Sequence, residues 1–546
     1  RSRNGQPKLE EVNEMLLILI LATASIASAQ TPKLPPDFAE RLAALEGARQ
    51  THPNDLQILD SLAGSYTMAA EYRKAIAIVQ QMRALNPKDR ALELRLARNY
   101  AWAGETRRAI AEYNSYLRAA PHDRQATIEL IRLRRYRGDY SQAEKLCNRL
   151  LSANPDDAEV LALKAEVLHW AGDRRLLARR TADRAEAIAP AYPDAKVSQV
   201  YASLDLGENR RATDEFAALR DLIDHQGGVT PESTYRGAYK LLEGTFANPV
   251  GFSIKPGFSV YNDSDGIHDT VWGWSLERSV AADHKIVFDL AQYASSAPKG
   301  SIFTDGRDHA YLNNFRAGGQ FRLAPAVHLT LLGGGSYRRT DGALRPVFDV
   351  RITASPIDRW TFDLSAGREF LGITPRAIDH GIASTSVAGA IQFAVDSRTL
   401  LSVRADRRYW SDANRSIASE ATLRRILRYN RRFSVDTGLL NHWEQFDHDT
   451  RLEAGFFTPD RYRRHDGYLG LYGELGSVRY EVRGSGGAQQ VARIADYRPD
   501  WDFTSSISVG LGRWLQLSAS YQRRNYSLVS KDGWYQGLQF TLGIRQ

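Results

Sequence analysis

Acidic and basic side chains alternate with apolar ones through the second half of the sequence, as in Phe348-Asp349-Val350-Arg351-Ile352 and Val478-Arg479-Tyr480-Glu481-Val482-Arg483. A period of two places every second residue on one face of an extended strand. Carried along the chain, the alternation gathers Asp289, Arg316, Asp349, Arg351, Asp363, Glu369, Arg404, Asp406, Arg408, Glu420, Arg424, Arg479, Glu481, Arg483 and Arg524 on one face, with Tyr293 and Trp410 beside them. The chemistry open to such a face is binding rather than bond making. Fixed charges of both signs hold water and hydrogen-bond a hydrated, largely neutral polymer better than a strictly selected ion, and the two aromatic rings offer stacking surfaces for sugars. The competing reading is that the charges pair with one another and only keep the face wet.

Bond-making constellations are missing from the sequence. No Gly-x-Ser-x-Gly elbow and no His-Glu-x-x-His occurs, and the 12 histidines are scattered. Asn262-Asp263-Ser264-Asp265-Gly266 is similar to the opening of a calcium loop but lacks the glutamate expected at its twelfth position, so it reads as a turn. Cys147 stands alone, which allows neither an intramolecular disulfide nor a multi-cysteine metal cluster. The expectation is a protein that is not an enzyme and carries no cofactor or metal. A net charge of +8 spread without a basic block gives no reason to expect a nucleic-acid partner.

The elements that carry the alternating face begin near residue 245. Of 41 glycines, 31 follow residue 240, and so do all but Phe38 and Phe216 of the 19 phenylalanines. A mean hydropathy of -0.42 excludes a bundle of membrane helices, each of which needs about 20 consecutive apolar residues. It does not exclude a membrane barrel, whose strands need only alternate. Short connections at Ala281-Ala282-Asp283, Asp396-Ser397, Arg428-Tyr429-Asn430, Gly476-Ser477 and Gly512-Arg513 interleave with long polar ones at 261–268, 295–308, 371–380 and 490–500. Short turns on one side and long loops on the other are the pattern of a bacterial outer-membrane barrel. Counting yields 17 candidate strands, and the loop alternation makes 447–464 one long loop, leaving 16, with 14 as the alternative. The charged face then lines an aqueous lumen, while Trp360, Tyr409, Trp514 and Trp534 fit interfacial girdles.

The first half follows a different rule. Pro53, Pro87, Pro121 and Pro155 are spaced by 34 residues, and Asp55, Asp89, Asp123 and Asp157 each follow two positions later. Proline ends one helix and aspartate caps the next, so the register predicts stacked helix pairs with the tetratricopeptide period. Ala70, Gly104, Gly138 and Gly172 recur at the turn within each pair, where a small residue tolerates tight geometry. Such a solenoid binds peptides or proteins on its concave face. Arg134, Arg135 and Arg137 fit either an anionic ligand there or a solvated basic face. Met15 to Ala29 is apolar and ends Ala27-Ser28-Ala29, the pattern of a secretory signal, with the mature chain starting near Gln30. The expected organisation is a signal segment 1–29, an N-terminal segment 30–50, a repeat solenoid 51–226, a linker helix 227–247 opened by Thr230-Pro231-Glu232, and a barrel 248–546.

Gly455-Phe456-Phe457-Thr458-Pro459-Asp460-Arg461-Tyr462 is similar to an aromatic-aromatic-Ser-Pro-Gln motif in the barrel of cellulose synthase operon protein C. Together with the α-solenoid and barrel, it makes the chain resemble outer-membrane exopolysaccharide export porins. The poly-N-acetylglucosamine porin family and the smaller YaiO-like family, which better fits the size, are close alternatives. The resemblance implies an N-terminal tetratricopeptide solenoid and a transmembrane antiparallel β-barrel in the Gram-negative outer membrane, with the N-terminal domain in the periplasm. It implies a cellulose-like or poly-N-acetylglucosamine-like polysaccharide as cargo, outer-membrane lipid around the barrel, and synthase or modifying partners recruited by the repeats. A barrel that only anchors such a scaffold without conducting is the alternative.

Overall fold

Aspartates at the repeat starts decide where the helices begin. The carboxylate of Asp55 accepts from the backbone N–H groups of Gln57 and Ile58, that of Asp89 from Ala91, that of Asp123 from Ala126 and that of Asp157 from Val160. Each satisfies donors that a helix start leaves unpaired. The computed structural model describes residues 34–546 except 231–232, 247–250, 282, 431, 493–495, 513, 526–532 and 546. The signal segment and Pro231-Glu232 lie outside the described residues.

The helices are α1 (Phe38–Thr51), α2 (Leu56–Met68), α3 (Tyr72–Leu85), α4 (Arg90–Trp102), α5 (Thr106–Ala119), α6 (Arg124–Tyr136) and α7 (Tyr140–Ala153) in one compact unit that ends at Pro155. Within it Leu59, Leu62, Ile78, Val79 and Leu96 form a buried core, where truncating one leucine to alanine costs about 2–5 kcal/mol. A second unit begins at Asp156 and holds α8 (Ala158–Ala171), α9 (Arg175–Ile188), α10 (Pro193–Asp205), α11 (Asn209–His225) and α12 (Arg236–Phe246) together with the whole sheet. The turn within each pair takes a left-handed residue, φ 58° at Ala70 and 69–78° at Gly104, Gly138, Gly172 and Gly207.

Sixteen strands follow: β1 (Phe252–Asp263), β2 (His268–Ala281), β3 (His284–Ser296), β4 (His309–Ala324), β5 (Val327–Arg338), β6 (Leu344–Ile357), β7 (Trp360–Phe370), β8 (Ala383–Asp396), β9 (Thr399–Trp410), β10 (Arg415–Arg428), β11 (Ser434–Phe446), β12 (Tyr462–Leu475), β13 (Val478–Val491), β14 (Arg498–Leu511), β15 (Leu515–Arg524) and β16 (Tyr535–Arg545). Every neighbour is antiparallel, and β1 pairs with β16, so the barrel is closed without an edge. Closure satisfies the backbone without water, as a bilayer requires. Trp272, Phe288, Phe315, Phe348, Leu364, Val403, Leu439, Leu469, Phe503 and Phe540 are exposed and share the outer face, an apolar belt suited to lipid. Among the described residues no helix is long and apolar enough to cross a membrane.

Two of the expected long loops are short. Strand β1 runs on to Asp263, and β14 starts at Arg498, because cross-strand pairing with β16 and β13 extends that far. Strand β12 likewise begins at Tyr462, which pairs with Glu444, so the loop before it ends at 461 rather than 464.

Within the second unit, tight turns of the barrel reach the helix ends. The Asp358 carboxylate accepts from the backbone N–H groups of Leu176 and Leu177 at 2.8 and 3.1 Å, and Asp283 accepts from that of Asn209 at 2.9 Å. The backbone N–H of Ala326 donates to Leu206, and that of Arg359 to Asp173. Ala326 and Arg359 are left-handed, φ 57° and 72°, which turns those N–H groups outward. A Cβ at Gly207 would lie 2.8 Å from the His328 ring, so this glycine also permits close approach.

Candidate functional site

Pairing partners in a sheet share a face. In register, Asp289 faces Arg316, Thr353 faces Asp363, Asp349 faces Gly367, Glu420 faces Arg404 and His442, Gly470 faces Arg483, and Asp502 faces Arg524. All alternate with the apolar belt. Asp289, Tyr293, Arg316, Asp349, Arg351, Asp363, Glu369, Arg404, Asp406, Arg408, Trp410, Glu420, Arg424, Arg479, Glu481, Arg483 and Arg524 therefore stand on the lumen face.

Many of these charges are paired across or along the wall. Arg316 lies 3.4 Å from Asp289, which also accepts from the Ser275 hydroxyl. Arg408 lies 2.9 Å from Asp406, and Arg351 is 4.0 Å from Asp363. The wall is therefore polar and of mixed sign, with pairing that holds many guanidinium groups in place.

The densest part spans β10 to β14. Asp436 is fully buried, 2.5 Å from Arg424 and 3.9 Å from Arg483. The two guanidinium groups lie over the rings of Tyr472 and Tyr468, at 5.5 and 4.7 Å from the centroids. Arg464 is 2.5 Å from both Asp466 and Asp500, and Arg524 donates to the Tyr462 hydroxyl at 2.5 Å. His442 sits between Glu420 and Glu444. Tyr462, Tyr468 and Tyr472 thus form a row of rings up one strand, each beside a guanidinium. None of Asp436, His442, Glu444, Tyr462, Arg464, Asp466, Tyr468, Tyr472 and Asp500 was on the face projected from sequence. Starting the strand at Tyr462 would have brought Tyr462 and Arg464 onto that face, and the same period of two, run from there, also reaches Asp466, Tyr468 and Tyr472.

Three long loops meet at the long-loop end of the barrel. Loop 371–382 carries a short helix, α13 (Pro375–His380), whose start is capped by the Thr374 hydroxyl. Ile378 packs on Leu312 and Val347 of the lumen face, and buried Arg338 donates to the carbonyls of Ile378 and Asp379. Burial pushes the Asp379 carboxyl up. Arg376 joins all three loops: its backbone N–H donates to Phe303 at 2.8 Å, and its guanidinium to the carbonyls of Thr304 at 2.9 Å and Glu453 at 3.2 Å.

The motif residues belong to this lid. Loop 447–461 contains α14 (Arg451–Ala454), then Phe456, Phe457, Thr458 and Pro459. Phe456 is buried against Trp410, centroids 5.0 Å apart, and fully buried Thr458 lies 3.1 Å from the Thr450 hydroxyl. The expected stacking surfaces at Trp410 and Tyr293 are therefore covered. Trp410 is 8% exposed beneath Phe456, and Tyr293 packs against the cluster around Phe370 and Ile378. Among the described residues no group of histidine, cysteine, aspartate and glutamate side chains could hold a metal, and Cys147 is buried.

The tetratricopeptide repeat family matches residues 66–127 and 102–167. A comparison with curated proteins finds no match. Among solved structures, a bacterial polysaccharide outer membrane secretin is similar at 13% identity and a TM-score of 0.46, covering 55% of this chain and 100% of its own. MamA of Desulfovibrio magneticus RS-1 is 13% identical over 31% of this chain and 96% of its own, with a TM-score of 0.29. A tetratricopeptide repeat protein of Parabacteroides merdae is 16% identical over 43% of this chain and 98% of its own, with a TM-score of 0.31. The chain thus joins tetratricopeptide repeats to a closed, outer-membrane-type barrel of 16 strands, the architecture implied by the resemblance to export porins.

Proposed function

We propose that this protein is an outer-membrane channel through which a secreted polysaccharide leaves the cell, with its repeats on the periplasmic side docking synthase or modifying enzymes. The observation that carries the reading is the β10–β14 wall, where hydrogen-bonding charges of both signs alternate with tyrosine rings held by guanidinium groups. A hydroxyl-rich chain exchanges its water for such groups at little cost, and the absence of a single dominant charge suits a neutral or weakly charged polymer of the cellulose or poly-N-acetylglucosamine kind. The side chains expected to line the channel are those of the lumen face given above.

The reading is tested by conductance in planar bilayers before and after removal of 372–380. Opening on removal, with block by added oligosaccharide, supports export. A barrel that stays closed after removal overturns it and favours the second reading, a non-conducting anchor for the repeats. That alternative draws on the seating of Ile378 against Leu312 and Val347 inside the barrel.

A further inference from the structure

The short-turn end of the dense wall holds a second feature, a cavity of about 220 Å³ bounded by the ends of β12 to β15. Glu474, Arg479, Ser508 and Gln516 line it, with Trp514 at the following turn. Register explains the grouping. Glu474 pairs with Arg479, Arg479 with Ser508, and Gly510 with Gln516, which sets the four polar side chains in one patch of the lumen face. The Gln516 amide donates to the Ser508 hydroxyl at 2.6 Å. Trp514, expected from its place near a strand end to join the interfacial girdle, borders this cavity instead and is 45% exposed.

We propose that this cavity is a sugar-binding subsite that takes a pyranose unit as the polymer chain meets the barrel. The assignment rests on the export reading for its cargo. Each group has a part in it. A carboxylate, a guanidinium and an amide give paired acceptors and donors for vicinal hydroxyls, and the indole offers a plane for the apolar face of the ring. Glu474 beside Arg479 disfavours a free phosphate or polyanion, and the pair selects a neutral or cationic sugar. Beyond the cavity, β12, which supplies Glu474, presents Tyr472 and then Tyr468 with their guanidinium partners.

The test is equilibrium binding by calorimetry on the full chain in detergent, with hexamers of β-linked glucose, N-acetylglucosamine and glucosamine as probes. Trp514→Ala and Arg479→Gln each weaken binding of the preferred hexamer about tenfold or more, and Trp514→Phe restores most of the affinity. Thermal unfolding of each variant shows that the barrel is intact. Variants that bind as wild type does, or a wild-type protein that binds none of the three hexamers, overturn the proposal. Conductance on the same preparations separates the two readings. A protein that binds through Trp514 yet stays closed after the lid is removed loses export and keeps the subsite, whereas one that conducts while the variants bind normally loses only the subsite.

Discussion

Asp358, at the tip of the turn between β6 and β7, caps α9 through the backbone N–H groups of Leu176 and Leu177. The capping residue of a helix normally belongs to the chain just before it; here the residue there is Arg174, whose side chain makes no cap bond. The barrel supplies what the local sequence lacks. Asp358→Ala is expected to reduce stability by about 0.5–2 kcal/mol, the usual worth of a cap. Hydrogen exchange should show lost protection confined to 175–188, and unchanged protection there would refute the coupling.

Arg376 holds the lid by donating to carbonyls on two other loops. Arg376→Ala should raise the open fraction of single channels in planar bilayers without altering thermal unfolding of the barrel, because the strands do not depend on it. Equal open fractions for variant and wild type would show that the lid is held by packing alone.

Asp436 is the counter-charge for Arg424 and Arg483, whose side chains are 38% and 39% exposed. Loss of one partner from a dry interior costs about 3–5 kcal/mol, and screening at these half-open guanidinium groups lowers that to about 1–2 kcal/mol. Asp436→Asn is expected to lower the unfolding temperature and to free positive charge along the wall. The reversal potential of the lid-deleted channel in a salt gradient should move toward anion preference, and an unmoved potential would count against a role for this wall in permeation.

Asp123 lies in the solenoid, where the Ala126 backbone N–H and then the Tyr116 hydroxyl favour its ionised form and hold its carboxyl below the ordinary value. A depressed folded-state value means the cap contributes above the unfolded value near 4 and is lost as pH falls through the folded one. Asp123→Ala should therefore weaken protection of 124–136 at pH 7, and the difference from wild type should shrink steadily below about pH 4. A difference independent of pH would assign the effect to packing.

The repeats were legible because proline and aspartate act locally: the cap at Asp123 needs only the three residues that follow it. The strands and their faces were legible for the same reason, since alternation at Asp349 and Arg351 is a property of one strand. The strand count followed from loop lengths, which make 447–464 one long loop rather than two loops with a strand between them. What the sequence hid is contact between distant segments. Nothing near Trp410 announces that Phe456 will cover it, and nothing near Leu176 announces Asp358. Ala70 shows a smaller limit: it stands in a left-handed turn where the later repeats use glycine, so a repeat can keep its geometry while losing its marker residue.

The grip of Arg376 has an evolutionary consequence. Its acceptors on 297–308 and 447–461 are main-chain carbonyls of Phe303, Thr304 and Glu453, atoms that every residue type provides. Substitutions at those three positions can accumulate without breaking the latch so long as the loops keep their course. The arginine has no such freedom, so a lineage of related proteins should vary freely around it while holding that one position still.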